Sequence, residues 1–143
     1  MRAFKTFNEI EYQIVHDLPP NYEELVKVFG EGANWYKGTV FTYAKTIFCK
    51  DPIPDHVLAH ECIHIRQQME IGVKEWWKRY IKDVGFRLEQ EIEAYRTEYK
   101  YVVDHLEKHK HFYYLRYFAT SMSKMYGFNM SVLQAINLIK NYE

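Results

Sequence analysis

His60-Glu61-Cys62-Ile63-His64 is the stretch on which the reading of this chain turns. It has the pattern H-E-x-x-H. On an α-helix, residues four apart lie on one face roughly 6 Å apart, so His60 and His64 can direct two imidazoles at one ion. Glu61 sits about 100° further round, beside that ion and not on it. From there its carboxylate can take a proton from a water held by the ion. Two neutral nitrogen ligands with a neighbouring carboxylate suit Zn²⁺, one per chain, which takes one more protein ligand and keeps an open position.

The surrounding residues support a helix with two unlike faces. With His60 at zero, His64 falls at about 40° and Gln67 at about 340°, while Leu58, Cys62, Ile65 and Met69 gather between about 140° and 200°. The back is apolar and the front carries His and Gln. A surface helix would oppose its apolar stripe with Lys and Glu. Pro54 and Asp55 are start signals, and Gly72 is a stop.

A third ligand is expected downstream, in the helical run from Phe86 to His105. With Leu88 at zero, Ile92, Tyr95, Tyr99, Val102 and Val103 fall within about 60° of it and form an inward face. Glu91 lies on its edge at about 300°, and Glu98 at about 280°, two turns on. Glu89 and Glu93 turn away, at about 100° and 140°. The phase therefore selects Glu91. The bland alternative is a rim carboxylate paired with Arg87.

These residues carry a resemblance. His60-Glu61-x-x-His64-x-x-Gln67 followed by Glu91-x-Glu93-Ala94-Tyr95 resembles the zincin metallopeptidases whose third ligand is a glutamate, the gluzincins. More narrowly, it is similar to the small single-domain zincin-like proteins of bacteria and their phages. In related zincins the third ligand stands three residues before an alanine, as Glu91 stands before Ala94. Trp77-x-x-Tyr80 through Phe86-Arg87 is similar as well, and the resemblance spans Thr39 to Tyr101.

The resemblance implies an α+β minimal zincin-like domain, mostly helical, with a small sheet whose edge strand precedes the H-E-x-x-H helix. In zincins such a strand pairs with extended substrate by strand addition. It implies a zinc-dependent metallopeptidase acting on a peptide or protein. His60, His64 and Glu91 would hold the metal, and Glu61 would be the general base that passes its proton to the leaving amine. Two rivals stand beside this. One is a non-enzymatic zincin-like module that keeps metal for structure and binds a host or viral protein. The other is an aromatic-rich interaction domain with an accidental motif. An intact Glu61 favours the enzyme, because a structural site has no use for it.

The 143 residues suffice for one domain, 1–143, with its own core. Net charge is zero, so no broad attraction to nucleic acid or anionic lipid is expected. The thirteen tyrosines read as core and interface groups with a polar tip. No run approaches the roughly 20 apolar residues of a membrane span, and no secretory signal is visible. Cys49 and Cys62 do not suggest a disulfide scaffold, and a cytoplasmic setting fits. Trp76-Trp77 reads as a helix-packing anchor more than a membrane contact.

Along the chain, a short strand is expected within Phe4 to Val15 and a helix capped by Asn21 through Phe29. Residues 30–38 read as loop and Thr39 to Lys50 as the best strand. Helices are expected over Lys74 to Asp83, His109 to Met125 and Ser131 to Tyr142, with Gly85 separating the first from the Glu91 helix. His105 and His109 are also four apart, but their charged neighbours read as a solvated helix end. Tyr95, Tyr99 or one of His105, His109 and His111 remains open as an oxyanion donor.

Overall fold

A computed structural model describes residues 4–141. Two hairpins build a small mixed sheet. Strands β1 (Lys5–Phe7) and β2 (Ile10–Val15) form one, and β3 (Phe41–Tyr43) and β4 (Thr46–Phe48) the other. Their spatial order is β1-β2-β4-β3, with β2 and β4 parallel and the other pairs antiparallel. Each segment expected as one strand is thus two. Asn8 and Glu9 turn the first hairpin with φ of 49° and 68°, the paired positive values of a tight two-residue turn. Ala44 turns the second with φ of 55°. No glycine marks that turn in the sequence. The Ala44 amide instead donates to Gln68 Oε1 of the following helix at 2.8 Å, so a tertiary contact holds the bend.

The segment between β2 and β3 contains α1 (Tyr22–Phe29) and two short 3-10 turns, Gly30–Ala33 and Trp35–Lys37. Asn21 stands at the N-cap of α1 but makes no capping bond, contrary to expectation. Its backbone, φ −101° and ψ 22°, lies outside the extended region that points a cap side chain at the first turn.

Then come α2 (Asp55–Ile71), α3 (Val73–Lys82), α4 (Val84–His105), α5 (Lys108–Met125) and α6 (Val132–Lys140). Pro54 and Gly72 bound α2, and Gly72 adopts φ 97°. The break before α4 falls at Asp83, not Gly85: its carboxylate accepts from the Phe86 amide at 3.1 Å and caps the helix. Ser131 and Gln134 cap α6 reciprocally. Tyr142, expected to end that helix, lies outside the described residues. The mostly helical α+β architecture agrees with expectation. The edge strand of the second hairpin is β3, while β4, which directly precedes α2, is an inner strand.

Three apolar clusters follow from the helix faces. Tyr12 and Ile47 of the sheet pack on Leu58, Cys62 and Ile65, the apolar back of α2. Burying such an Ile or Leu contributes about 1.5–3 kcal/mol. Met69, expected on that back, is 46% exposed because the cluster ends at Ile65. Val102, Leu115, Phe118 and Ile139 join α4, α5 and α6. Trp76 and Trp77 are buried with Leu25, Phe41 and Tyr80, and the Trp76 ring stacks on Tyr80 at 4.7 Å. The tryptophans are therefore packing anchors. Among the described residues, no helix is long and apolar enough to cross a membrane.

Candidate metal centre

Helices α2 and α4 pack front to front, and the polar edge of each meets the other in the interior. His60, His64 and Glu91 come together there, each 5% exposed or less. One ligand atom from each lies within 4.8 Å of the others. Among the described residues this is the one group of three or more His, Cys, Asp or Glu placed to hold a metal ion.

The hydrogen bonds determine which imidazole nitrogens face inward. Gln67 Nε2 donates to the Gln90 carbonyl at 3.1 Å and to Glu93 Oε1 at 2.8 Å. Both partners are acceptors, so the amide orientation is settled, and Gln67 Oε1 faces His64 Nδ1 at 2.8 Å. His64 therefore carries its proton on Nδ1. His60 Nδ1 likewise meets Glu98 Oε1 at 2.9 Å, and the other oxygen of Glu98 meets His56 Nδ1 at 2.6 Å. In the neutral rings both Nε2 lone pairs then point at one space, 3.1 Å apart. Glu91 adds two oxygens, 3.2 Å from His60 Nε2 and 3.3 Å from His64 Nε2.

Such a set of lone pairs demands a positive charge. Glu91 Oε1 accepts no hydrogen bond despite its nearness to His60. Ligands about 2.0 Å from a tetrahedral ion lie about 3.3 Å from one another, close to the separations observed. The ionisation tendencies agree. Burial pulls the His60 and His64 pKa values down, but the neighbouring carboxylates outweigh it, and both are raised, that of His60 strongly. Burial pushes Glu91 up, yet His64 and His60 hold it well below the usual carboxylate range. Two nitrogens and a carboxylate oxygen fit a divalent ion such as zinc. Glu98 and Gln67 supply outer hydrogen bonds of the kind that orient histidines around a metal.

Glu61 lies beside this group as expected, with Oε2 3.8 Å from His60 Nε2. Its other oxygen accepts from Thr42 Oγ1 at 2.9 Å. Burial raises its pKa, opposed by the two histidines. Tyr80 donates to Glu91 Oε2 at 2.5 Å. Glu93 points outward, pairing with Arg66 and Gln67. The alternative partner of Glu91 is not used, since Arg87 donates to the carbonyls of Tyr80, Ile81 and Tyr126.

A cleft of about 550 Å³, counted with its open mouth, reaches the triad and is lined by Phe29, Ala33, Phe41, Trp76, Trp77 and Tyr80. Of the possible oxyanion donors, Tyr95 packs its ring on His60 at 4.5 Å, but its hydroxyl bonds that of Tyr126 at 2.7 Å. Tyr126 lines the cleft, whereas Tyr95, Tyr99, His105, His109 and His111 do not. His105 ends α4 and His109 lies in α5, so this second pair shares no helix face.

Glu98 was detectable from its phase, seven residues after Glu91 on the same edge. Thr42, Tyr80 and Tyr126 reach the site from other elements, and no spacing announces them. Both cysteines are unpaired and buried, and burial pushes the Cys62 thiol up to about 12. In comparisons with known proteins, the chain matches no family model, no curated protein and no solved structure.

Proposed function

We propose that this chain is a zinc-dependent metallopeptidase of the zincin-like, gluzincin type. The observation that carries this reading is the convergence of two Nδ1-anchored imidazoles and Glu91 on one point, with the spare carboxylate of Glu61 alongside. Zn²⁺, when bound by His60, His64 and Glu91, supplies Lewis acidity toward a peptide carbonyl and lowers the pKa of a water toward neutrality. Glu61 would take the proton of the attacking water and return it to the departing amine. Glu98 and Gln67 keep the two imidazoles in the tautomer that presents Nε2. The substrate is a peptide or protein segment. Two buried free thiols suit a reducing compartment such as the cytoplasm.

A second reading draws on one observation. His60, Glu61, His64 and Glu91 are all 7% exposed or less, which suits a metal held for structure in a protein-binding module. Metal analysis and a peptide-library digest separate the readings. Protein purified without chelators should carry about one zinc per chain. Glu61→Gln should keep the zinc and lose about three orders of magnitude of turnover, because the amide cannot accept the proton. Zinc without turnover in the wild type would leave the binding module standing, and no zinc uptake at all would end both.

A further inference from the structure

A general base acts only if its carboxylate is held in place, and Glu61 has three rotatable side-chain bonds. Fixing such a side chain costs rotamer freedom. The helix itself does not fix it. The group that holds it comes from the sheet: Thr42 Oγ1 donates to Glu61 Oε1 at 2.9 Å. This leaves Glu61 Oε2 on the side of His60. Thr42 is 2% exposed and Glu61 7%, so water does not compete freely for the bond.

Thr42 is the middle residue of β3. Side chains alternate across a strand. Phe41 and Tyr43 join the cluster around Trp76, on one side of the strand. Thr42 pairs with Ile47 of β4, whose side chain packs against Leu58, Cys62 and Ile65 of α2. Residues directly opposite in an antiparallel pair point to the same face, so Thr42 is aimed at α2 by register alone.

The distance between strand and helix is also set. Gln68, fully buried, follows Glu61 by seven residues and so lies about 20° from it round the helix. Its Nε2 donates to the Thr42 carbonyl at 2.9 Å, and its Oε1 accepts from the Ala44 amide at 2.8 Å. One side chain thus grips the strand on both sides of Tyr43. We infer that Thr42 is a positioning residue for Glu61, held at its station by the Gln68 clamp, so that the cleft-side strand orients the general base. The inference rests on the reading of Glu61 as that base. Valine has the same branched shape and would fill the same space, so the hydroxyl alone accounts for the role.

The test compares Thr42→Val and Thr42→Ser with wild type, each loaded with zinc, using a quenched-fluorescent peptide library and crystal structures. In Thr42→Val, kcat should fall about 10- to 100-fold, as expected for a displaced catalytic group, with KM and zinc content unchanged. Thr42→Ser should recover to within about threefold, since it restores the donor. In the crystal of Thr42→Val, the Glu61 carboxylate should leave its wild-type position. Unchanged kcat in Thr42→Val, a loss expressed in KM alone, or an unmoved Glu61 overturns the inference. If wild type turns over no peptide, the peptidase reading fails, and the position of Glu61 in the two crystals still decides whether Thr42 holds it.

Discussion

Three pairs of histidines stand four residues apart in this chain, His56 and His60, His60 and His64, and His105 and His109, and the last two pairs end in opposite circumstances. His60 and His64 share the unbroken helix α2, are buried, and have their Nδ1 atoms held by Glu98 and Gln67. His105 and His109 flank a break. Leu106 and Glu107 are extended, with ψ of 158° and 142°, so the second histidine lies in the first turn of a new helix. His105 stacks on Tyr101 at 4.0 Å, and His109 faces Glu107 in solvent. Spacing places two imidazoles on one face only while the helix continues. It becomes a site only when acceptors on the outer nitrogens turn the inner lone pairs toward a common point.

The sharpest way to break this contrast is to remove one histidine from each pair. His60→Ala or His64→Ala should lower zinc affinity by about two orders of magnitude or more, and lower Tm in zinc buffer, because bound metal stabilises the folded state. His109→Ala should change neither. Competition titration against a chromophoric chelator measures this, and equal losses from both pairs would erase the distinction.

The two carboxylates of α4 sharpen it next. Glu91→Ala should weaken zinc binding by at least about tenfold, as loss of a ligand. Glu93→Ala should stay within about twofold, because its side chain is 47% exposed and reaches the site only through Gln67. A large loss for Glu93→Ala with none for Glu91→Ala would mean that the third ligand has been misassigned.

The smallest expected effect tests the outer anchor itself. Glu98→Gln keeps the shape but replaces a charged acceptor of the His60 Nδ1 proton with a neutral one. Zinc affinity should fall about tenfold, the lower end for outer-shell partners. Wild-type affinity in this variant would show that the backbone of α2 suffices to orient His60, and that Nδ1 anchoring is not what separates the two pairs.

Much of this was legible from residue order. The H-E-x-x-H spacing, the apolar back of α2 and the inward edge of α4 all follow from a period of 3.6 residues, which is local chemistry. Glu91 inward and Glu93 outward follow from the same arithmetic. The strands were harder. Phe4 to Val15 and Thr39 to Lys50 have the branched and aromatic composition of strands, but their turns at Asn8-Glu9 and Ala44 lack the glycine that would mark them. At Ala44 the bend depends on Gln68, twenty-four residues later. Asn21 looked like a cap, yet the backbone there takes another conformation.

What the sequence by itself determined is the donor set and the faces on which it lies: His60 and His64 with Glu61 beside them, and Glu91 one helix later. What only the tertiary structure decided is their mutual orientation. Glu98 selects the tautomer of His60, Gln67 that of His64, Tyr80 ties Glu91, and Thr42 holds Glu61. Periodicity is a property of one helix and is written in consecutive residues. These hydrogen bonds run largely between elements that no repeat relates, and their directions are set only when the helices and the sheet pack.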